Sequence, residues 1–225
     1  MKIEDFIPFY PYTGDDNLSG SIGDMKQFQE KRLEPNESIP EIRGSLMNHQ
    51  HIVSRLLSST TPYNELLLVH EMGTGKTCSA ISVVEQHIRE NNYQITDKFR
   101  SAYIFTKNQQ LLDNFKMELI NKCTSGKYEV GYNKFYKFSY GNRLNTFETF
   151  AKMLVNRTDK YIVDTFSNTI IIIDEVHNLK SYEQKVSKKK GKIVKVPTDF
   201  IYNQFHRFLH TVKGCKVLLL TGTPM

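Results

Sequence analysis

Residues 70–77, HEMGTGKT, combine the residue types that bind a polyphosphate together with its magnesium ion. Two glycines, Gly73 and Gly75, allow a backbone to wrap closely around phosphate oxygens. The loop amides and the N-terminus of the following helix add partial positive charge. In such a loop the Lys76 ammonium group reaches the terminal phosphates, and the Thr77 hydroxyl ligates Mg²⁺. The motif therefore predicts a nucleotide-binding loop that consists of His70, Glu71, Met72, Gly73, Thr74, Gly75, Lys76 and Thr77.

The first position of this loop departs from the usual pattern G-x-x-x-x-G-K-[ST], because His70 stands where the pattern has glycine. A side chain at this position requires a slightly different turn. The alternative interpretation of the motif is a glycine-rich turn that happens to precede a helix. The context favours the phosphate loop, since an aliphatic run precedes it and a helical pattern follows it.

A second pair of candidate groups, Asp174 and Glu175, follows a run of isoleucines. Adjacent carboxylates can divide the chemistry of hydrolysis between them. Asp174 would hold Mg²⁺ through its water shell, and Glu175 would orient and deprotonate the attacking water. Glu175 and Lys76 are then the candidate catalytic residues. The alternative is an ordinary acidic cap of a helix, a position that Asp and Glu favour.

The apolar pattern predicts the elements that hold these residues in place. Aliphatic runs typical of buried parallel strands cover residues 66–70, 101–107, 169–175 and 216–223. Helical spacing covers residues 46–57, 77–90, 109–121, 146–155, 161–166 and 200–212. This alternation indicates an α/β fold with a mostly parallel sheet, helices on both faces and functional loops at the carboxyl ends of the strands. We therefore expect the loop around Gly75 and the acidic pair to face each other across neighbouring strand ends, with a magnesium triphosphate between them.

The 225-residue chain is long enough for one generous α/β domain with a hydrophobic core. Residues 1–40 are rich in Gly, Asp, Asn, Ser and Pro, and they predict a loosely structured N-terminal extension with one short helix at 25–32. Residues 41–225 form the predicted main domain. Residues 127–140 are aromatic and rich in lysine, and their alternation favours strand packing over base stacking.

Charge and cysteine content narrow the class of protein further. The net charge of +6 permits a polyanionic partner but does not identify one. The widely separated Cys78, Cys123 and Cys215 fit neither a disulfide framework nor a zinc site, and they suggest a reducing, intracellular compartment. The apolar runs are too short to span a bilayer, and the first ten residues contain acidic groups and no sustained apolar segment. We therefore expect neither a membrane span nor a secretory signal.

Three motifs, in this order, resemble those of one protein family. Residues 73–77 (GTGKT), 174–177 (DEVH) and 221–224 (TGTP) are similar to motifs in the first RecA-like domain of superfamily 2 helicases and translocases. The resemblance covers residues 46–225, and it implies a RecA-like P-loop fold, ATP with Mg²⁺ as ligands, ATP hydrolysis, and DNA or RNA as partner.

The sequences TGTP and DEVHNL, and a composition rich in Asn, Lys and Tyr, indicate a narrower group within this family. They resemble the nucleoside triphosphatase I and early transcription factor helicases of large cytoplasmic DNA viruses. This resemblance implies a link to the transcription machinery and a location in the virion or the host cytoplasm.

The resemblance also implies roles for residues outside the two motifs described first. Gln50 would recognise the adenine base. His177, Thr221 and Thr223 would couple the nucleotide state to nucleic-acid binding. Thr106, Lys107 and Thr146 would contact a phosphate backbone. For the glutamine, the alternative is a solvent-facing polar residue on a helix. For the backbone contacts, it is a solvated rim position at the end of a strand.

A lysine-rich run at 185–195 separates the second motif from the third, and residues 187–195 hold five lysines and no acidic residue. It is either a basic loop that lies on a phosphate backbone or a solvated insertion tip, and the flanking Gly191 and Pro197 slightly favour the tip.

Motors of this family contain a second RecA-like domain, which closes over the ATP and supplies an arginine to the γ-phosphate. We therefore expect this chain to bind nucleotide and to hydrolyse it weakly without that domain, which would belong to a longer chain or to a separate one. The alternatives are a restriction-type DNA translocase subunit and a non-hydrolysing binding module that ATP switches between shapes.

Overall fold

The computed structural model describes residues 9–30, 46–71, 73–90, 101–128, 140, 143–180, 186–189, 192–195 and 199–222. The strands of this part are β1 (Glu65–Val69), β2 (Ala102–Thr106), β3 (Leu144–Thr146), β4 (Ile170–Ile173), β5 (Val186–Lys189), β6 (Lys192–Lys195) and β7 (Lys216–Thr221). Five of them form one sheet in the order β1-β7-β4-β2-β3, and every pair in it is parallel. Strands β5 and β6 form a separate antiparallel hairpin.

The helices connect these strands as the alternating pattern predicts. They are α1 (Leu18–Gly23), α2 (Lys26–Gln29), α3 (Asn48–Leu56), α4 (Lys76–Glu90), α5 (Gln109–Glu118), α6 (Phe147–Leu154), α7 (Asp159–Phe166) and α8 (Phe200–Thr211). Polar side chains begin three of them, since Asn108, Thr146 and Thr158 each accept a hydrogen bond from a backbone amide of the first turn. A π-helical turn, Leu119–Cys123, extends α5, and a 3₁₀ turn, Val176–Leu179, follows β4.

Strand β4 shows why the sheet needs helices on both faces. Ile170 and Ile172 belong to a hydrophobic cluster with residues of α3, α4 and α5. Ile171 and Ile173 belong to a second cluster with residues of α6, α7 and α8, in which Phe105 packs against Phe150 at 4.3 Å between ring centroids. A strand that is buried on both sides reads as a continuous apolar run. The predicted α/β fold of the RecA-like type is confirmed.

The prediction that the cysteines stay unpaired was wrong for two of them. Cys78 in α4 and Cys123 at the end of the π-helical turn form a disulfide, with Cα atoms 5.2 Å apart. The two residues are 45 positions apart in the chain, and the packing of α4 against the π-helical turn brings them together. Sequence spacing could not show this contact. Cys215 is free and buried, so the cysteine pattern gives no support to a reducing compartment.

The N-terminal segment makes specific contacts over its described part, residues 9–30. Phe28 in α2 is buried, the Gln27 side chain donates a hydrogen bond to the Tyr10 hydroxyl, and the Tyr63 hydroxyl donates to the Pro11 carbonyl. The guanidinium group of Arg55 in α3 hydrogen-bonds the Gln27 carbonyl. The predicted short helix is present as α2, whereas the boundary near residue 40 lies outside the described residues.

The remaining segments are residues 127–140, the lysine-rich run and strand β3. The strand tendency of 127–140 falls mainly on residues outside the described part. The lysine-rich run was predicted as a loop, and the structure shows a hairpin there. Strand β3 was not predicted, because three residues are too few to show a period.

Candidate nucleotide-binding site

The phosphate loop lies between the end of β1 and the start of α4. Its glycines adopt backbone angles that other residues rarely reach, with φ of 87° at Gly73 and 81° at Gly75. A Cβ atom at Gly75 would lie 2.6 Å from the side-chain amide nitrogen of Gln50, so a larger residue at this position would displace that amide. The Thr74 hydroxyl donates to the Glu71 carbonyl at 2.8 Å and braces the turn. Met72, a predicted member of the loop, lies outside the described residues.

The loop accommodates the histidine that replaces its usual first glycine. The backbone amide of His70 donates to the Thr221 carbonyl at 3.1 Å, which continues the pairing of β1 with β7. The imidazole packs edge-on against His49 in α3, with 5.3 Å between the ring centroids. Burial, with the charges of His49 and Lys76, lowers the pKa of His70, which favours the neutral ring. The side chain is therefore held by α3.

The phosphate loop and the acidic pair lie in direct contact. The Lys76 ammonium nitrogen donates to Oε1 of Glu175 at 2.8 Å, although 99 positions separate the two residues. We had expected neighbouring strand ends to carry the two motifs, and this was wrong, because β7 lies between β1 and β4. Gly222, which follows β7, donates its amide to Oε2 of Glu175 at 3.1 Å. The third motif thus contacts the same carboxylate as the phosphate loop.

Glu175 has a backbone conformation that is unusual for a residue with a side chain. Its φ and ψ are 52° and 53°, in the left-handed region, which costs on the order of 1–3 kcal/mol for such a residue. Burial raises the pKa of the Glu175 carboxyl, but hydrogen bonds from Lys76 and Gly222 outweigh burial and the net pKa is lowered. The carboxylate is therefore ionised and held in one position by two donors.

Asp174 is a partly buried carboxyl group with a raised pKa, as is typical of a carboxylate that binds a cation. Burial and the neighbouring charge of Glu175 raise its pKa, the Lys76 charge opposes both, and the resulting pKa is about 6. Thr77, the other candidate Mg²⁺ ligand, lies in the first turn of α4. A hydroxyl and a partly buried carboxylate are oxygen donors of the kind that Mg²⁺ takes in nucleotide sites, so these residues fit the ion.

We expect the substitution Asp174→Asn to stabilise the protein in the absence of magnesium and nucleotide. A carboxyl whose pKa rises from 3.8 to about 6 on folding opposes folding above pH 6. This corresponds to up to about 3 kcal/mol at neutral pH. The opposition disappears as the pH falls toward 3.8, because the folded protein takes up the proton first. Urea unfolding should therefore show a more stable variant at neutral pH and a smaller gain in acid. Equal stability at neutral pH would contradict the burial argument.

A chain of hydrogen bonds leads from the nucleotide site toward the predicted nucleic-acid side. Nδ1 of His177 lies 2.9 Å from the Thr221 hydroxyl, and Nε2 of His177 lies 2.9 Å from the side-chain nitrogen of Asn178. Lys107 donates to the side-chain oxygen of Asn178 at 2.8 Å, which fixes the orientation of that amide. The amide nitrogen must then donate to Nε2, so Nδ1 carries the proton and donates to Thr221. The candidate coupling residues His177 and Thr221 are in contact, whereas Thr223 lies outside the described residues.

Asn178 is a candidate functional residue that sequence reasoning missed. It joins His177 to Lys107, and its side chain also donates to the Glu175 carbonyl at 3.2 Å. Its position directly after the acidic motif was a signal that could have been used.

The three predicted backbone contacts lie at adjacent strand ends, but they differ in exposure. Thr106 pairs with Thr146 in the register of β2 and β3. Lys107 is exposed, whereas Thr106 is fully buried and its hydroxyl donates to the Asn108 carbonyl. Thr146 begins α6, where its hydroxyl accepts from the Thr149 amide. Only Lys107 presents an exposed cation, and nucleic-acid contact by all three stays a prediction.

Gln50 does not face the solvent, which was the alternative for this residue. Its side chain is 3% exposed, accepts from the Met47 amide at 2.9 Å and donates to the Gly75 carbonyl at 3.2 Å. The amide thus lies at the edge of the phosphate loop. Its oxygen and nitrogen each have capacity for one further hydrogen bond, so adenine recognition stays a prediction.

Comparison with known proteins assigns the family that this fold and site define. Residues 43–225 match the family described as "Type III restriction enzyme, res subunit". The chain belongs to this family, and it contains the first RecA-like domain of a superfamily 2 helicase.

Three viral proteins are similar to the chain. "Putative helicase 087L" of Invertebrate iridescent virus 3 is 32% identical over 100% of this chain and 23% of its own length. "Putative helicase 009L" of Frog virus 3 (isolate Goorha) is 36% identical over 79% of the chain and 18% of its own length. "Putative ATP-dependent RNA helicase" of Heliothis virescens ascovirus 3e is 26% identical over 80% and 17%. The chain therefore spans about a fifth of the length of these relatives.

None of the helices in the described part of the chain is both long and apolar enough to cross a membrane.

Proposed function

We propose that this chain is the ATP-binding half of a viral nucleic-acid-dependent ATPase of the helicase or translocase type. The observation that carries the proposal is the contact of Glu175 with both Lys76 and Gly222, which joins the phosphate loop, the acidic motif and the third motif at one point. A glycine-rich turn without function, or an acidic helix cap, would not bring these three segments together. The viral helicases among the relatives support the same assignment.

The contact between Lys76 and Glu175 indicates what nucleotide binding would change. Lys76 is bound to Glu175 here, and the triphosphate would draw its ammonium group away toward the β- and γ-phosphates. Glu175 would then lose the hydrogen bond that lowers its pKa, and it would become a stronger base for the attacking water. Asp174 and Thr77 would hold Mg²⁺, which supplies charge neutralisation at the phosphates. Gly222 and Thr221 would carry the change to the coupling residues.

The partners that we propose are DNA or RNA, a second RecA-like domain and the viral transcription machinery. Relatives about five times as long as the chain leave room for the second domain, in the same chain or in another. The name of the ascovirus relative favours RNA. We place the protein in the virion or the host cytoplasm, and we expect the isolated chain to turn over ATP weakly because the arginine of the second domain would be missing.

The test is MgATP binding by the 225-residue chain and its Lys76→Ala variant, measured by calorimetry. Charge-assisted hydrogen bonds contribute about 1.5–3 kcal/mol each, so the variant should bind roughly 10- to 150-fold more weakly. The matched control is Lys152→Ala, an exposed lysine of α6 that pairs with Glu148 one turn away. Absence of magnesium-dependent ATP binding by the native chain would overturn the proposal, and so would equal binding by native chain and Lys76 variant.

A second candidate is a restriction-type DNA translocase, which the family description favours. The two candidates differ in the nucleic acid that should stimulate turnover. Stimulation by duplex DNA alone would favour the translocase, and stimulation by RNA would favour the viral RNA helicase. Tight MgATP binding with no turnover in the presence of either would instead indicate a nucleotide-switched binding module.

A further inference from the structure

A carboxylate lies beside the disulfide that joins Cys78 to Cys123. The sulfur atoms of the two cysteines and a carboxylate oxygen of Glu118 all lie within 4.8 Å of one another. Both cysteines are buried, each with 7% of its surface exposed, whereas Glu118 is partly exposed. We call Cys78, Glu118 and Cys123 the thiol cluster. Three potential metal ligands therefore meet between the first turn of α4 and the end of α5.

The π-helical turn that extends α5 explains why two of these ligands face the same way. Glu118 directly precedes this turn and Cys123 ends it, so the two residues are five positions apart. In an α-helix, residues at this spacing point in directions that differ by about 140°. In a π-helix, the hydrogen bonds join residues five positions apart, so such residues lie one above the other. Turns of this kind are rare and frequently occur at functional sites.

The Glu118 carboxylate lacks a partner that would compensate its charge. Within the described part of the chain, it forms no hydrogen bond and no ion pair. A charged group that is partly removed from water loses hydration, and this loss is normally offset by a polar or charged partner. A cation held between the carboxylate and the two sulfur atoms would supply that partner.

The types of ligand select the cation. Thiolates bind soft or borderline ions such as Zn²⁺, and Zn²⁺ also takes carboxylate oxygens. Three protein ligands and one water molecule complete the tetrahedral coordination that Zn²⁺ prefers. Mg²⁺ takes oxygen ligands, so the thiol cluster differs in chemistry from the site that we infer for Thr77 and Asp174.

The cluster can accept the ion after the disulfide is reduced. A dithiol supplies two electrons and two protons, the S–S bond breaks to give two cysteine thiols, and the dithiol becomes a disulfide. Zn²⁺ then displaces the two thiol protons. Two sulfurs on a tetrahedral zinc ion lie about 3.8 Å apart. The Cα atoms of the cysteines are 5.2 Å apart, so rotation about side-chain bonds can separate the sulfurs this far.

We propose that the reduced thiol cluster is a Zn²⁺ site in which Cys78, Glu118 and Cys123 are the protein ligands. The ion would join α4 to the π-helical turn under reducing conditions, as the disulfide does when the cysteines are oxidised. Cys78 directly follows Thr77, so either crosslink lies next to the phosphate loop. The inference does not rest on the proposed function, because no residue of the cluster is assigned to nucleotide binding.

The test is a Co²⁺ titration of the 225-residue chain after reduction by a dithiol and removal of the dithiol without air. Excess Mg²⁺ is present to occupy sites made of oxygen ligands. Tetrahedral Co²⁺ with thiolate ligands shows a sulfur-to-cobalt charge-transfer band, so the spectrum identifies cysteine ligation. We expect one Co²⁺ per reduced chain, displaced by Zn²⁺. We expect no such band from a chain whose disulfide is intact by thiol titration.

Two variants and their controls identify the ligands. Partners of zinc ligands that do not touch the ion already contribute about 10–100-fold in affinity, so Glu118→Gln should weaken Zn²⁺ binding about 100-fold or more. The matched control is Glu148→Gln, a half-exposed carboxylate of α6, which should keep the native affinity. Cys123→Ala should abolish the native charge-transfer spectrum, whereas Cys215→Ala should keep it.

Three results would overturn the zinc site. They are a reduced chain without the charge-transfer band, equal Co²⁺ binding by the reduced and the disulfide-bonded chain, and native Zn²⁺ affinity in Glu118→Gln. Circular dichroism of each variant shows that it is folded. MgATP binding is measured separately, so failure of the zinc site leaves the proposed function standing, and loss of MgATP binding leaves the zinc site standing.

Discussion

The substitution Glu175→Gln should reduce ATP turnover by about 10²–10⁴-fold and leave MgATP binding intact, because a general base contributes a factor of this size. Glutamine has the same shape, and its carbonyl oxygen can still accept from the Gly222 amide, which now contacts Glu175 at 3.1 Å. It cannot accept a proton from water. The affinity for the nucleotide should persist because Lys76, Thr77 and Asp174 remain.

The measurement is a single-turnover experiment with labelled ATP and excess protein, with and without nucleic acid, since this format detects slow hydrolysis. Calorimetry of MgATP binding accompanies it. The control is Glu148→Gln, a half-exposed carboxylate on α6 that forms an ion pair with Lys152. Turnover at the native rate would show that Glu175 is not the base. A loss of turnover that is matched by a loss of MgATP affinity would assign Glu175 to loop architecture instead.

Local patterns were sufficient to predict the sheet strands on which the nucleotide site is built. The aliphatic runs that became β4 and β7 are buried in a parallel sheet, and strands of that kind show apolar residues at nearly every position. The run that became β1 has the same apolar pattern, although β1 is an edge strand in which Leu67 and Val69 are about half exposed, so the burial predicted for it was wrong. The phosphate loop was predictable for a similar reason, since Gly73 and Gly75 have positive φ values that restrict the choice of residue. In both cases, the constraint acts on the residues of a single short segment.

Features that depend on how distant segments pack could not be predicted in this way. The position of β7 between β1 and β4 follows from the order of crossovers, which the strand residues do not encode. The same order explains why Gly222, which follows β7, contacts Glu175 in addition to Lys76. Asn178 was missed because its role depends on Lys107, which lies 71 positions away in the chain.

Loss of the Cys78–Cys123 disulfide should lower the free energy of unfolding by about 4 kcal/mol, the loop-closure value for a crosslink of this span. The bond closes a loop over a sequence separation of 45, and it joins the first turn of α4 to the π-helical turn beyond α5. Without it, the unfolded chain gains the freedom that the crosslink had removed. Urea unfolding of the native chain, with and without a thiol reductant, measures the difference.

The variant Cys123→Ala supplies the control for this prediction. It should resemble the reduced native chain, and the reductant should not change its unfolding midpoint, because Cys215 is free in the folded protein. Thiol titration in denaturant should find one reactive cysteine in the native chain before reduction and all three afterwards. Three thiols before reduction would show that the bond does not form in solution. Cys78 directly follows Thr77, so the crosslink can also hold the phosphate loop in its binding conformation. The same comparison in the presence of MgATP tests this. If the crosslink holds the loop, reduction weakens MgATP affinity as well as stability.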